Sequence, residues 1–205
     1  MGSNPADIQP GGGTRLLPEN MDQYFPLNVL TSVQRFDGRD LGREPHIAVL
    51  GSCKLGNFVA SLPLLRILRR RYPGAQIDFW GSEATADFER ALCGEDQPLN
   101  WRISWDQTQK NEDGTLSTLE AITKAAARRQ REAGPLDLAI NCDGFNPLTQ
   151  TLTSWLQPTW VAGGSLRADG RAPLAWGDLP HQRFLADPDW DSPAFLARYA
   201  EQSTA

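Results

Sequence analysis

The residue types able to do chemistry gather in two short stretches. Residues 51–57 read Gly-Ser-Cys-Lys-Leu-Gly-Asn, and residues 137–144 read Asp-Leu-Ala-Ile-Asn-Cys-Asp-Gly. In the first, small residues let a ligand approach the backbone, Lys54 supplies a cation, and Ser52 and Asn57 supply hydrogen-bonding groups. In the second, Asn141 offers an amide and Asp143 a carboxylate. The difference matters: an amide orients a hydroxyl but has no basic lone pair at neutral pH, whereas a carboxylate can take the hydroxyl's proton.

Several chemistries are excluded by what these stretches lack. Gly51 and Gly56 satisfy the opening of the phosphate-loop pattern, but Asn57 and Phe58 stand where it needs Lys and Ser or Thr. The dinucleotide fingerprint fails at its second glycine, which is Cys53. Cys53, Cys93 and Cys142 show no metal-ligand spacing, so no metal site is expected. His46 and His181 have no Ser or Cys signature between them, so no nucleophilic triad is arguable.

The surrounding periodicity says what must hold these residues. Ile47, Ala48, Val49 and Leu50 form a short apolar run suited to a strand buried on both faces, ended by Gly51. Phe58, Leu62, Leu65 and Leu68 then recur at helical spacing, with Arg69, Arg70 and Arg71 at the dipole-favoured end and Pro73-Gly74 as the stop. Further strands are predicted at 77–81, 99–105, 136–141 and 159–162. Helices are predicted at 84–92, 115–133, 148–156 and 192–202, the last with Ser192 as N-cap and Pro193 at N1. Regular alternation of strand and helix predicts an α/β fold, a Rossmann-like doubly wound parallel sheet. Ligands of such sheets bind beyond the carboxyl ends of the strands, where both stretches fall.

The predicted organisation is an extended or partly disordered leader at 1–45, with 27–33 as a short helix or strand, a Rossmann-like domain at 46–165, and a Gly/Pro/Trp-rich connector with a terminal helix at 166–205. A chain of 205 residues with 40% hydrophobic and 22% charged content holds one ordinary core. A formal charge of −5 argues against nonspecific nucleic-acid binding. Scattered cysteines fit a reducing compartment, and no run of about 18 apolar residues signals a membrane span. The chain is therefore read as soluble and cytoplasmic.

The two stretches, with their flanks, resemble the N-terminal half of family 9 glycosyltransferases, the bacterial heptosyltransferases of lipopolysaccharide core assembly. Residues carrying the resemblance are Lys54, Gly56-Asn57, Pro63-Leu64-Leu65-Arg66 and Arg70-Arg71-Tyr72-Pro73 after the first strand, then Asp137, Ile140, Asn141 and Gly144, and finally Val161-Ala162-Gly163. The family has Asp where Asn57 and Asn141 stand here. The resemblance implies the acceptor-side half of a GT-B glycosyltransferase, a glycan or glycolipid acceptor, and a nucleotide-sugar donor such as ADP-heptose, with no other cofactor. It implies substrate contacts from Ser52, Lys54, Gly56 and Asn141, and a catalytic position at Asn57. It covers residues 46–165, so a second chain supplying the donor domain is the implied partner, with at most peripheral contact at the inner face of a membrane.

Asn57 replaces the implied base by an amide, and Asp143 is the carboxylate that topology offers in its place. A noncatalytic sugar-binding or partner-binding module is the competing class. Helix capping by Asn57, solvation of Lys54, and a dipole-stabilised helix end made by Arg66, Arg69, Arg70 and Arg71 compete with ligand roles for those residues. Trp155, Trp160, Trp176 and Trp190 suit packing as well as sugar stacking.

Overall fold

The computed structural model describes residues 33–51, 55–93, 101–104, 112–143, 146–167, 172–178, 180–187 and 192–199. Six strands, β1 (Gln34–Arg35), β2 (His46–Leu50), β3 (Gln76–Gly81), β4 (Trp101–Ser104), β5 (Leu138–Asn141) and β6 (Trp160–Gly163), form one sheet in the order β1-β6-β5-β2-β3-β4. Every pairing is parallel. Its helices are α1 (Leu55–Arg71), α2 (Ala86–Cys93), α3 (Glu112–Ala133), α4 (Pro147–Trp155), α5 (Pro180–Ala186) and α6 (Pro193–Tyr199). A 3-10 turn, Glu83–Thr85, precedes α2.

β2 is central, and its apolar run follows from that position. Ile47, Ala48, Val49 and Leu50 are all fully buried. Ile47 and Val49 join Phe58, Leu65 and Leu68 of α1 on one face, while Ala48 and Leu50 join Ala126 of α3 and Leu152 of α4 on the other. Burying a ring such as Phe58 contributes about 1.5–3 kcal/mol. Phe58 also meets Phe79 edge-on, with centroids 5.5 Å apart, which anchors the first turns of α1 to β3. Pro63 sits inside α1 and lacks the N–H for its ladder bond, yet the helix continues to Arg71 because its apolar face is seated on the sheet.

Helix ends follow local chemistry. Asn146 caps α4, accepting from the Leu148 N–H at 2.9 Å ahead of Pro147. Ser192 Oγ accepts from the Phe195 N–H at 3.1 Å, as its position before Pro193 predicts. Asp137 ties the amino ends of two strands together, since its carboxylate accepts from the His46 N–H at 2.8 Å. A buried ion pair, Asp78 with Arg129, joins β3 to α3.

Two features differ from the expectation. β1 adds a sixth strand at the edge, inside the stretch read as a leader, and α5 forms inside the stretch read as connector. Neither has the periodicity that marks an element: β1 is two residues long and α5 seven. Both are held by tertiary contacts, as when Gln182 Nε2 donates to the Phe36 carbonyl at 3.4 Å. The portion of 27–33 before Val33 lies outside the described residues.

Candidate functional site

The chain leaves β2 through α1 to β3 and β4 on one side, then returns through α3 to β5 on the other. The direction of winding thus reverses between β2 and β5. At such a reversal the helices depart to opposite faces and leave a crevice beyond the strand ends, the usual ligand position in open α/β sheets. Leu50 pairs with Asn141 at the carboxyl ends of these strands, and the Cys142 N–H donates to the Leu50 carbonyl at 2.9 Å. Two stretches distant in sequence, 51–57 and 137–144, therefore flank one crevice.

On the β2 side, Gly51 is buried and its N–H donates to the Trp80 carbonyl at 2.8 Å. A Cβ there would lie 2.6 Å from Cζ of Phe79, so packing against that ring accounts for the glycine. Ser52, Cys53 and Lys54 lie outside the described residues. Gly56 and Asn57 are exposed in the first turn of α1, and a Cβ at Gly56 would meet nothing within 4 Å. α1 begins at Leu55, so Asn57 lies within the first turn and not at the N-cap, and it is exposed.

On the β5 side the polar groups are tightly specified. Asn141 is buried; its Nδ2 donates to the Gly164 carbonyl at 2.8 Å and its Oδ1 accepts from the Asp143 N–H at 2.9 Å. Both ends of its amide are thus engaged by backbone at the base of the crevice. Asp143 is half-buried just before α4, where its Oδ2 accepts from Asn146 Nδ2 at 3.1 Å. A carboxylate in that place benefits from the positive end of the α4 dipole. Desolvation first, and the neighbouring Asp143 charge second, push the Cys142 thiol up to about 11, so it is a thiol and not a thiolate at neutral pH.

Gly163, paired with Asn141, has φ +87°, and a Cβ there would run into the Asn141 carbonyl. The sequence offers this residue only as the end of the Val161-Ala162-Gly163 stretch that carries the resemblance, with no structural part of its own. Its signal was available only as a glycine closing a strand, which does not reveal a left-handed backbone. Asp137, quoted with the second stretch, lies at the opposite end of the sheet and belongs to the frame.

Among the described residues, no group of three or more His, Cys, Asp or Glu could hold a metal ion, and no helix is long and apolar enough to cross a membrane. An all-parallel sheet with helices on both faces and a crevice at its reversal defines a Rossmann-like doubly wound α/β protein. No protein-family model matches the chain, and no curated protein matches it. A solved structure to which it is similar is the glycosyl transferase family 9 protein from Veillonella parvula DSM 2008, at 18% identity and a TM-score of 0.46. The match covers 60% of this chain and 33% of that one, so the chain spans about a third of its length.

Proposed function

We propose that this chain is the acceptor-side unit of a family 9-like glycosyltransferase, acting in the cytoplasm on a lipopolysaccharide or other cell-surface glycan. The acceptor sugar sits in the β2/β5 crevice, contacted by Ser52, Lys54, Gly56 and Asn57 from one side and by the Asn141–Asp143 turn from the other. A donor-binding domain beyond this acceptor-side unit presents a nucleotide sugar such as ADP-heptose. What carries this reading is the Leu50–Asn141 pairing, which brings the two motif-bearing stretches to one crevice.

In the transfer step an acceptor hydroxyl oxygen attacks the anomeric carbon, the bond from that carbon to the diphosphate oxygen breaks, and the nucleoside diphosphate leaves with the electron pair. The hydroxyl proton goes to a carboxylate. Asn57 orients the hydroxyl, since its amide cannot take the proton, and Asp143 receives it.

The test is nucleotide release from ADP-heptose with a lipopolysaccharide-core acceptor glycan, together with binding of that glycan alone. Glycan binding by the wild type is expected, and with the proton accepted at position 143, Asp143→Asn should lower release about 10²- to 10⁴-fold, whereas Asn57→Asp adds a second carboxylate and should not lower it. Binding without release from the wild type or from Asn57→Asp would favour the noncatalytic sugar-binding module, a reading to which the Asn57 amide already points. Neither binding nor release would overturn the assignment.

A further inference from the structure

The β1–β6 edge of the sheet holds a second concavity, separate from the β2/β5 crevice. Its volume is about 280 Å3, and Arg35, Phe36, Val161, Ala162, Trp176 and Gln182 form most of its wall. Ligand pockets for larger molecules run from about 300 to 1,000 Å3, so this one suits a small guest.

Two ionisable groups line it. Asp37 is exposed, and its carboxylate already accepts from Arg39, at 2.9 Å from Nε and 2.6 Å from Nη2. Arg35 has no carboxylate partner among the described residues. Its Nε donates to the Ala175 carbonyl at 2.9 Å, its Nη2 to the Leu174 carbonyl at 2.8 Å, and its Nη1 to the Gly163 carbonyl. The Trp176 ring lies against the guanidinium, 4.0 Å from Cζ to the ring centroid. Three of the five guanidinium N–H groups are therefore used, all on neutral acceptors, and two are uncommitted.

Burial lowers the Arg35 pKa to about 10, which leaves it cationic at neutral pH. Carbonyl dipoles and an aromatic face offset part of the cost of desolvating a cation, and a counter-anion supplies what they do not. The other walls select the rest of that anion. Phe36, Val161, Ala162 and Trp176 are apolar or aromatic, which disfavours a dianion and favours a hydrocarbon body.

The geometry points to a binding site for a small monocarboxylate with an apolar body, its carboxylate on the uncommitted N–H groups of Arg35 and its hydrocarbon part among Phe36, Ala162 and Trp176. This site does not depend on the sugar reading of the β2/β5 crevice. The planar guanidinium fork matches a carboxylate, and a single cation balances a single negative charge.

Calorimetric titration of the full chain with benzoate, and with benzamide as its neutral isostere, tests the assignment at pH 7 and low salt. Saturable benzoate binding is expected, with benzamide at least tenfold weaker and Arg35→Gln at least tenfold weaker for benzoate. Because Arg35 also holds the Gly163, Leu174 and Ala175 carbonyls, Ala162→Leu is titrated alongside; it fills the cavity, leaves the guanidinium intact, and should lose benzoate to a similar degree. Equal affinity for benzoate and benzamide, no saturation with either, or unchanged benzoate affinity in Ala162→Leu would overturn the site, even if Arg35→Gln fails to fold.

Discussion

Asn141 Nδ2 donates to the Gly164 carbonyl at 2.8 Å, and this side chain thereby joins the carboxyl end of β5 to the turn after β6. Its Oδ1 accepts from the Asp143 N–H, so the same amide shapes the turn that carries the candidate carboxylate. An amide can do both, because one contact needs a donor and the other an acceptor, whereas a carboxylate supplies only acceptors. Asn141→Asp is expected to lose about 1–3 kcal/mol in urea unfolding, since a carboxylate would face a carbonyl with no proton to share. Asp143→Asn, which leaves both Asn141 bonds in place, should cost less.

Gly163 is the partner position on β6. With φ +87° and the Asn141 carbonyl in the path of any Cβ, Gly163→Ala should destabilise by about 2–4 kcal/mol, combining backbone strain with a backbone clash. An unfolding midpoint within error of the wild type would show that the turn can relax.

The Asp78–Arg129 pair is buried on both sides, at 2.5 Å, with Asp78 Oδ1 and Arg129 Nη2 unpartnered among the described residues. Arg129→Met strands a carboxylate and should cost about 3–5 kcal/mol at pH 7, while adding Asp78→Leu should restore much of it. Desolvation holds the Asp78 carboxyl above its ordinary value, against the opposing pull of Arg129 and His46. The folded chain therefore binds that proton more tightly than the unfolded chain, whose value is about 3.9, and this residue's contribution weakens as pH rises through the folded value. Without Arg129 the folded value rises further. The deficit of Arg129→Met should thus shrink between pH 7 and pH 5, read as converging urea midpoints.

Two glycines of the first stretch are expected to separate stability from binding. Gly51→Ala pushes into the buried Phe79 ring and should cost about 1–3 kcal/mol. Gly56→Ala meets open space inside a helix and should gain about 0.5–1 kcal/mol. If the acceptor approaches the backbone there, Gly56→Ala binds glycan more weakly despite its higher melting temperature; unchanged glycan affinity would remove Gly56 from the site.

Much of this architecture was legible because the central elements carry strong local signals. The apolar run of β2, the spaced Phe58, Leu65 and Leu68 of α1, and the Ser192-Pro193 helix start each announce an element by type and spacing. β1 and α5 were not legible, because two or seven residues show no period and their stability comes from neighbours distant in sequence. Asn57 was read as a possible cap and lies inside the turn, since a helix start depends on backbone geometry that one side-chain type does not determine.

The sequence by itself determined the residue chemistry: an amide at 57, an amide and a carboxylate at 141 and 143, and an alternation that admits a parallel sheet with helices on both faces. Which of those groups is free to act was decided by tertiary structure alone. Strand order placed β2 beside β5 and so put both stretches at one crevice, and the Gly164 carbonyl engaged Asn141 while Asn57 stayed exposed. The physical reason is that hydrogen-bond commitment and burial are properties of neighbours. For these residues, those neighbours come from segments that no local pattern connects.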